Sequence, residues 1–166
     1  MKSIRKKVFL DSLGNAVGES FIQLLSRSLS GEIMKKFLMM IGDGNSGKGI
    51  ITKALSNAFD SYHGIFSAEG IAYNANSTLE DSQKCRWILK LRFCRLIISN
   101  EVSQCKALDS FIIKKTASGG DLLVATRMRQ EEEHFVPWFL PLIFCNDIKE
   151  IMPYDGPVDN RAVIIT

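Results

Sequence analysis

The residues with the clearest chemical potential in this chain are Gly42-Asp43-Gly44-Asn45-Ser46-Gly47-Lys48-Gly49. The spacing G-x-x-x-x-G-K runs from Gly42 to Lys48, and it suits phosphate for three reasons. Glycines let backbone N–H groups turn inward, a following helix start carries partial positive charge, and the lysine reaches the β and γ phosphates. The next position, where Ser or Thr supplies a hydroxyl to Mg²⁺, holds Gly49. Thr52 lies one turn too late and Ser46 precedes the lysine, so the spacing predicts a metal held through water. The plain alternative is a glycine-rich strand-to-helix turn with no ligand.

A phosphate loop needs an acid at a neighbouring strand tip, to hold metal or activate water. The run Leu96-Ile97-Ile98-Ser99-Asn100-Glu101 offers one. Asn100 occupies the usual place of a metal-binding aspartate, and Glu101 that of the water-activating acid, with Mg²⁺ bound to Glu101 through water; otherwise Glu101 is a solvated carboxylate after an edge strand. Asn146 follows a third apolar run and could orient water or sense a γ-phosphate, or simply favour a turn. Arg161 could offer a guanidinium to a transferring phosphoryl group, or form a surface ion pair.

Elements to position these groups are legible in the hydrophobic pattern. Continuous apolar runs at 37–41, 96–99, 142–145 and 162–165 read as buried strands. Helical periodicity marks 4–35, weakened at Gly14 and Gly18, and again 50–59, 79–91 with Thr78 as cap, and 107–115. Residues 60–78 read as an irregular connection, and 122–128 as one arm of a hairpin after the turn Ser118-Gly119-Gly120-Asp121. The expected fold is α/β, a mostly parallel central sheet flanked by helices and preceded by a small helical region. Its division is 1–35 for the helical region and 36–166 for the core.

The 166 residues, 46% of them hydrophobic, suffice for one domain that buries about 70% of its unfolded surface. The 21 basic and 18 acidic residues nearly cancel, so no polyelectrolyte tail is present, and a net +3 permits a nucleic-acid partner without requiring one. Cys85, Cys94, Cys105 and Cys145 form no Cys-x-x-Cys pair, and His63 and His134 lie far apart, which excludes a zinc spacing and predicts buried reduced thiols. The longest apolar run, 135–145, is too short for a bilayer and holds Pro137 and Pro141. No signal peptide follows the basic start, so an intracellular protein without a membrane partner is expected. Lys84, Arg86, Lys90, Arg92 and Arg95 around Trp87 read as a solvent-facing helix with one buried aromatic.

The order of these parts resembles the superfamily 3 helicases of the kind fused to primases in poxviruses, giant DNA viruses, satellite phages and plasmids. Its carriers are the strand with Gly42 to Lys48, the strand with Glu101, the segment Lys115-Thr116-Ala117-Ser118-Gly119-Gly120-Asp121 with Arg127, the strand with Asn146, and Asn160-Arg161. The resemblance implies an AAA+-like P-loop ATPase acting with ATP and Mg²⁺, assembled as a ring, usually a hexamer, around single-stranded DNA. Lys48 would then bind phosphates, Glu101 activate water, Asn146 act as sensor and Arg161 reach into a neighbour's site. Lys114, Lys115, Arg127 and Arg129 would meet the DNA backbone, where cations grip without reading sequence. It also implies a truncated motor whose full-length form carries a primase or origin-binding region, in host cytoplasm or at a viral replication site. Gly49 and Asn100 depart from the pattern on the metal side.

Two other functions fit parts of the pattern. Nucleoside monophosphate kinases also use Gly-Lys-Gly, but they continue with Thr where Ile50 stands and need an arginine-rich lid, while residues 131–158 hold no arginine. A non-hydrolysing P-loop module for assembly or DNA binding would also accommodate Gly49.

Overall fold

The computed structural model describes residues 5–43, 46–99, 106–127 and 130–166. Five strands, β1 (Phe37–Ile41), β2 (His63–Ile65), β3 (Leu96–Ser99), β7 (Leu140–Cys145) and β9 (Ala162–Ile165), form one sheet. They lie side by side in the order β2-β3-β7-β1-β9, and every pairing is parallel. All strand C-termini therefore open on one edge. Strands buried on both faces need apolar side chains at every position, which is why Phe37-Leu38-Met39-Met40 and Leu140 to Cys145 are apolar without alternation.

The pleat sends alternate residues into two separate cores. Leu38, Met40, Leu96, Ile98, Leu142 and Phe144 meet one pair of helices. Of these, α1 (Asn15–Leu29) buries Phe21 and Leu25, and α2 (Lys48–Phe59) buries Ile51, Leu55 and Phe59. Spacings of three and four place these side chains on one stripe of each helix. Met39, Ile97, Ile143 and Cys145 face the other core, with Ile88, Leu89, Ile112 and Ile113. Helices cover both sheet faces. The hydroxyl of Ser28, fully buried, donates to the carbonyl of Arg95 and ties α1 to the start of β3.

Three expected elements differ in the structure. Residues 60–78 are not wholly irregular, because they contain β2 as the sheet's edge strand, followed by a short 3-10 turn at Ala68–Ile71. The helix expected over 79–91 is a single turn, α3 (Asp81–Lys84), followed by a 3-10 segment Arg86–Leu91. Cys85, Ile88 and Leu91 are buried at intervals of three, the period of a 3-10 helix rather than 3.6. The helix expected over 107–115 begins later. Ala107–Asp109 form β4, which pairs with β8 (Glu150–Met152), and α4 spans Ser110–Thr116. Asp109 sets that start by accepting a 2.9 Å hydrogen bond from the Phe111 amide.

The hairpin arm is present as β5 (Leu123–Thr126), antiparallel to β6 (Glu132–Phe135). A one-turn helix, α5 (Gly156–Asp159), precedes β9. Cys85, Cys94 and Cys145 are buried free thiols, and burial pushes Cys85 up to about 11. Cys105 lies outside the described residues. Among the described residues no helix is long and apolar enough to cross a membrane.

Candidate functional site

The phosphate-loop residues leave the tip of β1. Ile41 is in register with Cys145 of β7, and the Gly42 amide donates to the Cys145 carbonyl at 3.1 Å, so the two strand ends are joined where the loop departs. A Cβ at Gly42 would lie 2.6 Å from Ser46 Oγ, a close approach that only glycine allows without displacement. Gly47 is the N-cap of α2 with φ 85°, left-handed backbone that suits glycine, and no side chain caps the helix. Helix α2 is 12 residues long, so its uncapped first turn carries the dipole's positive end toward the loop.

Lys48 folds back over this turn. Its ammonium donates to the Gly42 carbonyl, to Asn146 Oδ1 at 2.5 Å and, more distantly, to the Cys145 carbonyl at 3.4 Å. These three acceptors are neutral oxygens, so phosphate oxygens could replace them with a gain in charge complementarity. The glycine cradle, the uncapped helix start and this exchangeable lysine fit a nucleotide triphosphate. At Gly49 an added Cβ meets no described residue within 4 Å. Thr52 Oγ1 donates to the Lys48 carbonyl at 3.0 Å, one turn along the helix.

Lys48 and Asn146 are thus brought together, and within the loop the Ser46 amide donates to the Asp43 carbonyl at 3.2 Å. Gly44, Asn45, Asn100 and Glu101 lie outside the described residues. Strand β3 runs to Ser99, which is in register with Ile143 two residues before Cys145. Arg161 is placed at the opposite edge of the sheet. It precedes β9, and its carbonyl accepts from the Phe37 amide at 2.8 Å, at the start of β1. Its guanidinium donates to the carbonyls of Ala117 at 3.1 Å and Pro157 at 2.6 Å, joining α4 to α5.

Of the four cations expected on DNA, three lie among the described residues. Lys114 is paired with Asp155 at 2.5 Å, and Lys115 lies over the Phe111 ring with its ammonium 5.5 Å from the centroid. Arg127 reaches Glu133 at 3.2 Å on the hairpin, and Arg129 lies outside the described residues. The basic group around Trp87 does not form one helical face. Lys84 ends α3, Arg86 and Lys90 lie in the 3-10 segment, and Arg92 and Arg95 lie beyond it, before β3. The carbonyls of Gly42 and Cys145 that hold Lys48 left no trace in residue types, because any residue supplies a backbone oxygen.

Over 165 residues the chain is 36% identical to a protein of Sputnik virophage named "Putative helicase V13". The match covers 98% of this chain and 21% of the relative, so the chain spans about a fifth of that protein's length. Among solved structures, the A-form apo structure of the NrS-1 C-terminal region superposes with a TM-score of 0.70, at 19% identity, over 99% of this chain and 37% of that one. The fold is the same. A second A-form apo structure, of NrS-1 residues 305–718, gives 0.61 at 15% identity over 98% of this chain and 36% of that one. No family model matches the chain.

Proposed function

We propose that this chain is the motor core of a superfamily 3 type DNA helicase that acts in viral, phage or plasmid DNA replication. It binds ATP with Mg²⁺, hydrolyses it at the subunit interfaces of a ring such as a hexamer, and moves on single-stranded DNA. The observation that carries this reading is the meeting of Lys48 and Asn146 at one edge of a parallel sheet, over an uncapped helix start. The virophage relative, named as a helicase, supports it.

In this reading Lys48 exchanges the carbonyls of Gly42 and Cys145 for phosphate oxygens, which releases Asn146 to orient the attacking water. Glu101 takes the proton from that water and meets the metal through water. Bound Mg-ATP supplies the phosphoryl group and the divalent charge. Arg161, on the far edge of its own sheet, is free of that duty within its subunit and serves a neighbour's site. Lys114, Lys115, Arg127 and Arg129 contact DNA phosphates. The helical region 1–35 belongs with the core 36–166, and the whole protein adds a primase or origin-binding region.

The open space at Gly49 favours a second reading, a P-loop module that binds nucleotide or DNA without turnover. ATP turnover measured with and without single-stranded DNA, beside sedimentation to establish the oligomer, separates the two. DNA-stimulated turnover that Lys48→Ala abolishes, and Asn146→Ala lowers about 10²-fold, supports the motor. Binding without turnover by an assembled ring supports the inert module, and phosphoryl transfer to a nucleoside monophosphate would replace both with a kinase.

A further inference from the structure

At the edge of the sheet opposite Lys48, a groove of about 420 Å³ is lined by Tyr62, Arg92, Phe93, Arg95, Phe135 and Trp138. Three separate segments deliver these residues to one place. Tyr62 precedes β2, Arg92 to Arg95 precede β3, and Trp138 precedes β7, while Phe135 ends the hairpin strand β6. Parallel strands that start side by side explain the convergence. The Arg95 amide donates to the Tyr62 carbonyl at 2.7 Å, and the Arg95 carbonyl accepts from the Leu140 amide at 2.9 Å, so the backbone beneath the groove is fixed.

The side chains are unusual for a free surface. Phe93 is 77% exposed, Tyr62 51% and Trp138 43%, three rings open to solvent around one groove. Guanidiniums lie against two of them: Arg95 is 4.8 Å from the Trp138 ring centroid, and Arg92 is 4.8 Å from that of Phe93. Arg95 is also held by Gly31, where a Cβ would come within 3.1 Å of the guanidinium carbon. Arg92 and Arg127 both pair with Glu133, so two guanidiniums share one carboxylate, and Arg95 adds a third positive charge beside them. Through Glu133 the groove also connects to Arg127 on the hairpin.

We propose that this groove binds single-stranded nucleic acid, with bases stacked on Phe93, Trp138 and Tyr62 and the phosphodiester drawn by Arg92 and Arg95. Exposed flat rings interleaved with guanidiniums match a ligand of alternating planar and anionic groups, and they bind it with little regard to sequence. A protein partner would use the rings but has no general need of the cationic excess. The proposal deepens the motor reading and rests on it, placing a second DNA contact at the base of the hairpin rather than on its arm.

The chain has two tryptophans. Trp87→Phe leaves Trp138 as the only emitter and removes a buried indole N–H that has no hydrogen-bond partner. In that background, adding oligothymidylate is expected to quench Trp138 emission saturably. In anisotropy titrations Phe93→Ala and Trp138→Leu should each weaken oligothymidylate binding roughly fivefold or more, with DNA-free ATP turnover unchanged. Phe93 is exposed enough for its replacement to leave the fold intact, which keeps the test decisive if Trp138→Leu is unstable. Oligothymidylate that binds without quenching Trp138, and binds Phe93→Ala as tightly as the parent, overturns the groove while the motor reading stands. Variants that dissociate an oligomer in sedimentation without losing DNA affinity identify a contact between copies and likewise overturn it. Absence of all DNA binding, with turnover indifferent to DNA, removes the motor reading as well.

Discussion

Two glycines, two residues apart at the entry to α2, should respond to the same substitution in opposite directions. Gly47 has φ 85° and no described residue within 4 Å of its would-be Cβ, so Gly47→Ala is governed by the backbone. Holding an L-residue in left-handed conformation costs about 1–2 kcal/mol, and alanine is a poorer N-cap than glycine. Gly49 lies inside the helix, also in open space but without a positive φ. Gly49→Ala should stabilise by about 0.5–1 kcal/mol, because glycine in a helix loses more backbone freedom on folding than alanine does. In a chain of this size each kcal/mol moves Tm by about 2–4 °C. Thermal unfolding followed by circular dichroism should therefore show Gly47→Ala lower by roughly 2–8 °C and Gly49→Ala higher by roughly 1–4 °C. An unchanged Tm for Gly47→Ala would refute the left-handed helix entry at Gly47. A clear loss for Gly49→Ala would refute the open space around Gly49 among the described residues.

Arg161→Ala removes two hydrogen bonds that join α4 to α5, and should lower the urea midpoint by the equivalent of about 1–3 kcal/mol even in an isolated chain without nucleotide. Full stability with lost turnover in the assembled protein would show that the guanidinium acts only across subunits. Burial holds the His63 imidazole below its usual 6.5, and its Nε2 is buried without a hydrogen-bond partner among the described residues. The unfolded chain takes up a proton near that usual value while the fold resists it, so this contribution to stability is intact above about pH 6.5 and declines as the pH falls below it. His63→Gln should flatten the decline in urea midpoint between about pH 7.5 and about pH 5.5, and an equal slope in both proteins would discount His63.

The central strands were legible because burial on both faces demands unbroken apolar runs, as at Phe37 to Met40, Leu96 to Ile98 and Leu142 to Cys145. Strand β2 was not, since His63-Gly64-Ile65 is short, lies at the sheet edge and exposes Ile65. The start of α4 was marked by Asp109, but the apolar pattern runs straight through the cap and concealed it. At the glycine-rich loop, spacing singled out Lys48, and the pairing of β1 with β7 brings Asn146 against it, 98 residues along the chain. Arg92, Phe93, Arg95 and Trp138 carried no common spacing. They converge because parallel strands begin together, a property of topology that no local pattern encodes.

Strand β1 pairs only with β7 and β9, whose first residues come some hundred positions later. During synthesis from the N-terminus, the strand bearing the phosphate loop must therefore wait unpaired until most of the polypeptide has emerged. Such distant closures slow folding, and an apolar strand without neighbours is an invitation to aggregate. Polypeptides halted before Leu140 would retain the whole G-x-x-x-x-G-K segment and still have no platform to hold it, so nucleotide capture should appear late and all at once.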